Sequence, residues 1–466
     1  MKRDIVDDKG EKDRTMKLSI KEGSATAVMS GAGESYIVPY ALALKASNFQ
    51  IGLLTSFVNL FGAGAQIIGG KLGYYFDRKK IILVSVFMQA TMWLIILSLG
   101  LLVWSGKISD SAATILLGLY CIYAVVGNLS GPAWFSLMGD IVPEEKRGNY
   151  FSKRNKAIMS VTLVITLASA FFLDYMESLN IILFGFAIIF ATASLGRYIS
   201  VFLLSKHYYP KREVKKESYF GFFQFLKKSP KNNFGKFVIY VGMMNLATNI
   251  AAPFFAVYML KELHYSYTWF TIVNLSAIMF TVISVPLWGK IGDKFGNRKL
   301  LGIGSAIVPF ASLLWLISKN PVVIIFTAQL AAGIGWAAFN LAASNFVYDV
   351  VTPQRRGICV AYFNSINGIG IFIGAILGAL VAQFVHLDFI NVFFLIFIIS
   401  GVARALVVII FLPMIKEVRI KETKEKVNIL NYIAAGTPRP FYGMFRGVLS
   451  IMTDFIRKKK KFDIKE

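Results

Sequence analysis

Charge is scarce in this chain. Asp, Glu, Lys and Arg make up 16% of its 466 residues, against roughly 25% in soluble domains. That is too little to cover the water-facing surface of two soluble domains, which its length would otherwise allow. Cysteine is nearly absent. Cys121 and Cys359 are the whole supply, and both fall inside apolar runs, which argues against a disulfide framework. The three histidines, His207, His264 and His386, sit at the ends of apolar runs or in the links between them. There is no Cys/His cluster, no phosphate-cradling glycine loop and no pair of carboxylates in the middle of a run. The common metal, nucleotide and acid–base enzyme sites therefore have no residues to build on, and the chain is expected to be a non-enzyme without a cofactor. A cleavable signal peptide is not expected either. Residues 1–21 are polar and mixed in charge, and the first apolar run lies beyond them.

What the chain has in excess is apolar length. Hydrophobic residues are 56% of the total and the mean hydropathy is +0.60. They gather into about twelve runs, at 22–44, 50–70, 81–104, 112–138, 157–175, 180–204, 236–260, 268–288, 300–317, 321–347, 358–386 and 388–413. A bilayer's hydrocarbon core needs about 20 apolar residues to cross, so each run reads as a transmembrane helix. The expected organisation is a tail over 1–21, a six-helix bundle over 22–204, a link over 205–235, a second bundle over 236–413 and a tail over 414–466. In the link, basic residues flank Tyr219-Phe220-Gly221-Phe222-Phe223, a pattern for a helix at the headgroup level. In the tail, Phe441, Met444, Phe445, Val448, Leu449, Met452, Phe455 and Ile456 share one helical face before Arg457 and Lys458 to Lys461. That reads either as a membrane-surface helix or as a tail docking on the loops.

The net charge of +24 could point to nucleic acid, but its distribution points to a membrane. With the amino terminus placed in the cytoplasm, the cytoplasmic links collect the lysines and arginines. The six opposing links carry Lys45, Lys107, Lys261 and Lys319 alone. This is the positive-inside asymmetry. The expectation is a multi-pass protein of the plasma membrane with both termini cytoplasmic, meeting anionic lipid headgroups on its basic face and no nucleic acid.

The chain also repeats itself. Gly289-Lys290-Ile291-Gly292-Asp293-Lys294-Phe295-Gly296-Asn297-Arg298-Lys299 joins two apolar runs, and so does Gly70-Lys71-Leu72-Gly73-Tyr74-Tyr75-Phe76-Asp77-Arg78-Lys79-Lys80, 219 positions earlier. A second echo follows the fourth and tenth runs: Asp140, Arg147, Gly148 and Asn155 recur as Asp349, Arg356, Gly357 and Asn364 at one offset. A third is Arg197 and Arg404, each near the cytoplasmic end of its run. The 289–299 segment resembles the loop signature of the major facilitator superfamily, Gly-x-(Leu/Ile)-(Ala/Gly)-Asp-(Arg/Lys)-x-Gly-(Arg/Asn)-(Arg/Lys)-(Arg/Lys). The first copy departs from it, with Tyr74 for the family's Asp and Asp77 for its Gly. The resemblance spans about residues 22–413. It implies an all-α membrane protein of twelve transmembrane helices in two pseudo-symmetric six-helix bundles.

Glu34 is the carboxylate that falls midway along a run, in Ser30-Gly31-Ala32-Gly33-Glu34-Ser35-Tyr36. A charged group at that depth is costly unless cations or donors compensate it. It can bind and release a proton, hold a cationic substrate, or serve only as a neutral structural group bonded to a neighbouring helix. Matching Leu44-Lys45 to Leu260-Lys261 sets it within one residue of Asn249. In the superfamily the first, fourth, seventh and tenth helices line the substrate cavity. On those helices the polar and aromatic candidates are Glu34, Tyr36, Tyr40, Asn128, Trp134, Asn245, Asn249, Trp336 and Asn340. The resemblance further implies a cytoplasmic gate built from Gly289, Asp293, Gly296, Arg298, Asp140, Arg147, Asp349 and Arg356. In it Asp293 sits at the amino end of the eleventh helix and pairs with Arg298 and Arg356, the alternative being a solvated charge that only orients the loop. Arg197 and Arg404 are expected to snorkel, or to pair with Asp140 and Asp349. Gly370, Gly374 and Gly378 make a double GxxxG for close helix packing.

These residues read as a secondary transporter of a small organic solute, working by alternating access with proton or ion coupling, expected as a monomer. The rivals are a multidrug-type efflux permease and a non-transporting receptor or assembly factor on the same fold. The fifth run, Ala157 to Tyr175, contains neither Gly nor Pro, unlike the drug/proton antiporters of the superfamily.

Overall fold

A computed structural model describes residues 2–73, 75–143, 146–210, 222–350, 356–385 and 390–417. Lipid offers no hydrogen bonds, so each crossing segment must satisfy its own backbone, and every long apolar run forms a helix. In chain order these are α1 Lys2–Ala32, α2 Ile37–Ala43, α3 Asn48–Leu72, α4 Arg78–Trp104, α5 Ala112–Ile141, α6 Arg147–Ser178 and α7 Ile182–Ser205. After the link come α8 Phe222–Lys228, α9 Asn233–Asn249, α10 Ala252–Val257, α11 Tyr267–Phe295 and α12 Asn297–Leu313. The last are α13 Pro321–Ile324, α14 Leu330–Val350, α15 Arg356–Phe384 and α16 Val392–Phe411. Among the described residues eleven segments are long and apolar enough to cross a membrane. The twelfth crossing is α1 with α2, a helix that begins in polar sequence and is interrupted partway.

That polar start is part of the bundle. Thr15, Ser19 and Glu22 are buried. Their i, i+4, i+7 spacing puts them on one face of α1, and the Thr15 hydroxyl accepts the Tyr208 N–H at 2.9 Å. The helix therefore runs unbroken through the expected boundary at residue 22.

The chain divides into two compact units that do not follow the two sequence halves. The first takes Met1–Phe220, Thr248–Ile272 and Phe363–Ile396. The second takes Gly221–Ala247, Val273–Tyr362 and the chain from Phe397 onward. Small residues explain the grouping of the first. Gly378 of α15 lies directly against the Ile250 carbonyl, and Gly52 of α3 against Ala379, so backbones meet with no side chain between them. The double GxxxG thus does at Gly378 what its pattern predicts. The core of this unit is aromatic. Tyr40, Trp93, Phe186 and Phe190 are all fully buried, with Tyr40 edge-on to Phe190 at 4.9 Å.

In the second unit α12 packs on α14. Tyr240 donates to the Ser305 hydroxyl, the Trp288 indole donates to the Ile334 carbonyl at 3.1 Å, and Phe237 stacks on Phe346 at 4.5 Å. The described part of the link also folds in. Phe225 of α8 is buried against Phe234 and Tyr362, and Phe222 meets Tyr362 edge-on. Over these residues the segment packs its aromatic side chains on its own unit. Tyr219 to Gly221, and the amphipathic stretch around Phe441 to Ile456, lie outside the described residues.

Candidate functional site

The helix breaks where Glu34 stands. α1 ends at Ala32, residues Glu34–Tyr36 make a single tight turn, and α2 begins at Ile37. A larger residue could not replace Gly33, because its Cβ would lie 2.6 Å from the Trp93 ring. Glu34 and Ser35 are exposed while Gly33 and Tyr36 on either side are buried. The interruption therefore presents a carboxylate to open space at mid-depth. Two hydroxyls hold it: Tyr123 donates to Oε1 at 2.7 Å and Ser30 to Oε2 at 2.8 Å. Ser35 donates to the Ser30 carbonyl at 3.0 Å, in the stretch where the helical ladder is interrupted. Tyr123 is itself fixed, stacked on Tyr120 at 5.1 Å and edge-on to Trp93 at 4.9 Å.

The seventh crossing breaks at the matching place. α9 ends at Asn249 and α10 starts at Ala252, with Pro253 in its first turn. Broken helices at the midplane are how transporters expose backbone and polar groups to a solute. Each half thus carries one, with a carboxylate at the first break and Asn249 at the second.

Deeper toward the link end, sequence reasoning missed a second carboxylate. Glu22 is 3% exposed. Its Oε2 accepts Arg154 at 3.1 Å, and its Oε1 accepts Ser200 and Thr26, each at 2.9 Å, with Arg197 at 3.9 Å. Arg197 is 7% exposed and donates to Gln89 at 2.8 Å and to Thr26 at 2.7 Å. This corrects the expectation for Arg197. It does not snorkel, and its carboxylate is Glu22 rather than Asp140. Arg404 is likewise buried, donating to the Val308 carbonyl at 3.1 Å. Both side chains find partners inside their own bundle, so neither has to reach water.

The other cavity candidates fall into two groups. Tyr36 and Tyr40 have no exposed surface. The Tyr40 hydroxyl donates to the Ile96 carbonyl at 2.9 Å and that of Tyr36 to the Thr166 carbonyl at 2.5 Å, which leaves neither ring a face for a solute. Asn128 is half-buried, donating to Ala124 and accepting from Gln66 at 2.9 Å. Trp134 carries the Arg154 guanidinium over its ring at 4.5 Å. Asn245, Asn249 and Trp336 are half-buried and Asn340 is exposed, with Trp336 edge-on to Phe339 at 5.3 Å.

The gate motifs form the same contact in both halves. Arg78 donates to Asp140 at 2.6 Å, and Asn297 donates to Asp349 at 2.6 Å. Arg147 closes the end of α5, donating to the Gly139 carbonyl at 3.0 Å and the Val142 carbonyl at 3.3 Å. Gly296 takes φ +90, a left-handed conformation that favours glycine, whereas Asp77 at the equivalent place has φ −60. The two turns differ, so the first copy tolerates the residue that breaks the family pattern. Arg298 does not wait for Asp293. Its Nε donates to the Ile415 carbonyl at 2.6 Å and its backbone N–H to Glu417 at 2.8 Å, because the chain after α16 returns past this turn. Gly289 has open space around its Cα and Asp293 is exposed. The Arg356 side chain is outside the described residues.

Twelve crossings, two internally repeated halves and paired broken helices define a transporter-type membrane fold. The sequence profile of the Major Facilitator Superfamily matches residues 23–241 and again 237–456, and the chain belongs to that superfamily. An uncharacterised MFS-type transporter of Methanocaldococcus jannaschii is 25% identical over 356 residues, 74% of this chain and 86% of that protein. Multidrug resistance protein 3 of Bacillus subtilis is 26% identical over 120 residues, 25% of this chain and 23% of that protein. Among solved structures, the nucleoside transporter NupG aligns with TM-score 0.64 at 13% identity, covering 86% of this chain and 98% of that one. A bacterial homologue of the iron transporter ferroportin in an inward-facing state gives 0.65 at 15%, covering 86% and 98%. These structures share the fold. The protein is a multi-pass membrane transporter.

Proposed function

We propose that the protein moves a small organic solute by alternating access, driven by a proton or ion gradient, with Glu34 as the group that couples the two. The carrying observation is the exposed carboxylate at the break between α1 and α2, held by Tyr123 and Ser30. A coupling group must reach solvent, must sit at mid-depth, and must be held in place without being locked to a buried cation. Glu34 meets these conditions and buried Glu22 does not. A solute cation resting on Glu34 is the variant of the same assignment. Asn128, Asn245, Asn249, Trp336 and Asn340 keep surface for a solute. Asp293 and Arg356 supply the cytoplasmic latch.

The cation asymmetry of the links supports cytoplasmic termini and anionic lipid contact at the basic face, and a plasma-membrane location is proposed with them. A cysteine at Ser109 should label from outside and one at Lys227 from inside. Both positions are exposed. Labelling of both from one side rejects this orientation. The protein is proposed to act as a monomer. Export of amphipathic compounds is the second reading, favoured by the relative that is named a multidrug resistance protein.

The deciding experiment begins with a thermal-shift screen for solutes that stabilise the purified protein. Wild type and Glu34→Gln are then reconstituted in liposomes with the best of them. Loss of gradient-driven accumulation with exchange retained supports coupling. Loss of binding supports a cationic solute. Full gradient-driven accumulation by Glu34→Gln excludes Glu34 from both roles.

A further inference from the structure

Asp174 sits one turn from the end of α6, and its side chain reaches into the other sequence half. One carboxylate oxygen accepts the Tyr267 N–H at 2.6 Å and the other the Thr268 N–H at 3.1 Å. Tyr267 and Thr268 open α11, so a residue of the first half supplies the acceptors for unpaired amides at the start of a second-half helix. The negative charge also meets the positive end of that helix's dipole. The contact lies at the membrane face opposite the link, the outer face in the orientation proposed above.

One turn along α11, Thr271 is buried and lies 3.0 Å from the Tyr36 hydroxyl. Tyr36 has a single hydroxyl hydrogen, and the 2.5 Å contact to the Thr166 carbonyl uses it. Thr271 is therefore the donor in the second bond. Tyr36 is also the last residue of the tight turn that begins at Glu34. One fully buried side chain thus connects the turn bearing the carboxylate to α6 and to the helix that Asp174 caps.

We infer that Asp174 closes an outer gate on the amino end of α11, and that Tyr36 is the positioning residue through which the state of the Glu34 turn reaches that gate. A shift of the turn pulls the Tyr36 hydroxyl away from Thr271 and Thr166. The α11 start then loses its Thr271 tie and keeps the Asp174 contact and the edge-on packing of Tyr267 on Phe186. The contact needs no side chain on the α11 side, since backbone amides serve, so its specificity rests on Asp174. The inference rests on the alternating-access reading, but labelling measures it without a substrate.

The test uses a background with Cys121→Ala and Cys359→Ala. Ser35→Cys reports from just inside the gate and Asn340→Cys from α14, each treated with a membrane-impermeant maleimide. Asp174→Ala and Tyr36→Phe should raise outside labelling of Ser35→Cys about fivefold or more and lower inside labelling of Asn340→Cys, as a population shift requires. Asp174→Asn keeps an acceptor and should fall between wild type and Asp174→Ala, which also guards against a variant that only folds poorly. Labelling unchanged on both sides, or raised on both, overturns the gate. For the link to Glu34, Glu34→Gln should change outside labelling in the Tyr36 protein and lose that effect in Tyr36→Phe. An equal response in both overturns the role of Tyr36 while leaving the coupling proposal to its own test.

Discussion

Arg78 and Asn297 are one position used twice. Each begins the helix after a glycine-bearing turn, and each donates to an aspartate at 2.6 Å, Arg78 to Asp140 and Asn297 to Asp349. The first contact is an ion pair between side chains 14% and 34% exposed. The second is a neutral amide on a carboxylate, reinforced by Asn345 donating to Asn297 at 3.3 Å. Their salt responses should therefore differ. Arg78→Ala should cost about 1 kcal/mol at low ionic strength and less in about 1 M salt. Asn297→Ala should cost about as much at both. Melting of the detergent-solubilised variants checks this, and an equal salt response would contradict the distinction.

Glu22 faces two arginines, the buried Arg197 and the half-buried Arg154. Removing one partner of a buried ionic network leaves the others uncompensated and costs about 3–5 kcal/mol. Glu22→Ala should therefore lower the melting temperature sharply or prevent accumulation in the membrane. Glu22→Gln keeps an acceptor for Ser200 and Thr26 and should lose less. A Glu22→Ala protein that melts like wild type would remove the network's structural role.

Gly296 and Gly289 stand in the same loop signature but under different constraints. At Gly296 a side chain meets both φ +90 and the Glu417 carboxylate, so Gly296→Ala should destabilise by about 1–2 kcal/mol or more. At Gly289 there is nothing within 4 Å, and Gly289→Ala should be neutral or slightly stabilising on the helix-propensity scale. The pair is compared by melting temperature in one detergent.

His207 follows α7 at the link end and is 5% exposed, with neither ring nitrogen hydrogen-bonded among the described residues. Burial pushes its pKa down, partly countered by Glu22 and reinforced by Arg154. A lowered folded-state value means the unfolded chain binds the proton more readily. The stability His207 contributes is thus whole above the ordinary histidine value of about 6.5. It is lost as pH falls from there through the depressed value. Wild type should lose melting temperature between about pH 7 and pH 5, and His207→Leu should lose less. Parallel slopes would exclude His207 as the acid-sensitive group.

The crossings, the duplication and the positions of Asp140 and Asp349 were legible because hydropathy and a repeated offset report them directly. The mid-depth carboxylate was legible at Glu34 for the same reason, since it interrupts an apolar run. Glu22 was not, because the face it shares with Thr15 and Ser19 is polar. Buried polar stripes carry no hydropathic signature, and the helix looked like a tail. The partner of Arg197 was hidden with it. Asp174 looked like an ordinary residue near a helix end. What it does depends on which backbone amides the fold brings to it, and amides have no sequence identity. Tyr36 and Tyr40 read as cavity residues from their place on the first crossing, but the break between α1 and α2 turns both rings into the protein.

α1 is 31 residues long, about 46 Å at 1.5 Å per residue, and its buried face is anchored to α6 and α7 from Thr15 onward. It is therefore a stiff rod fixed at one end. A rigid soluble domain joined to it in continuous helical register would keep a set orientation to the first bundle. Such a fusion gives the transporter a visible landmark for image alignment.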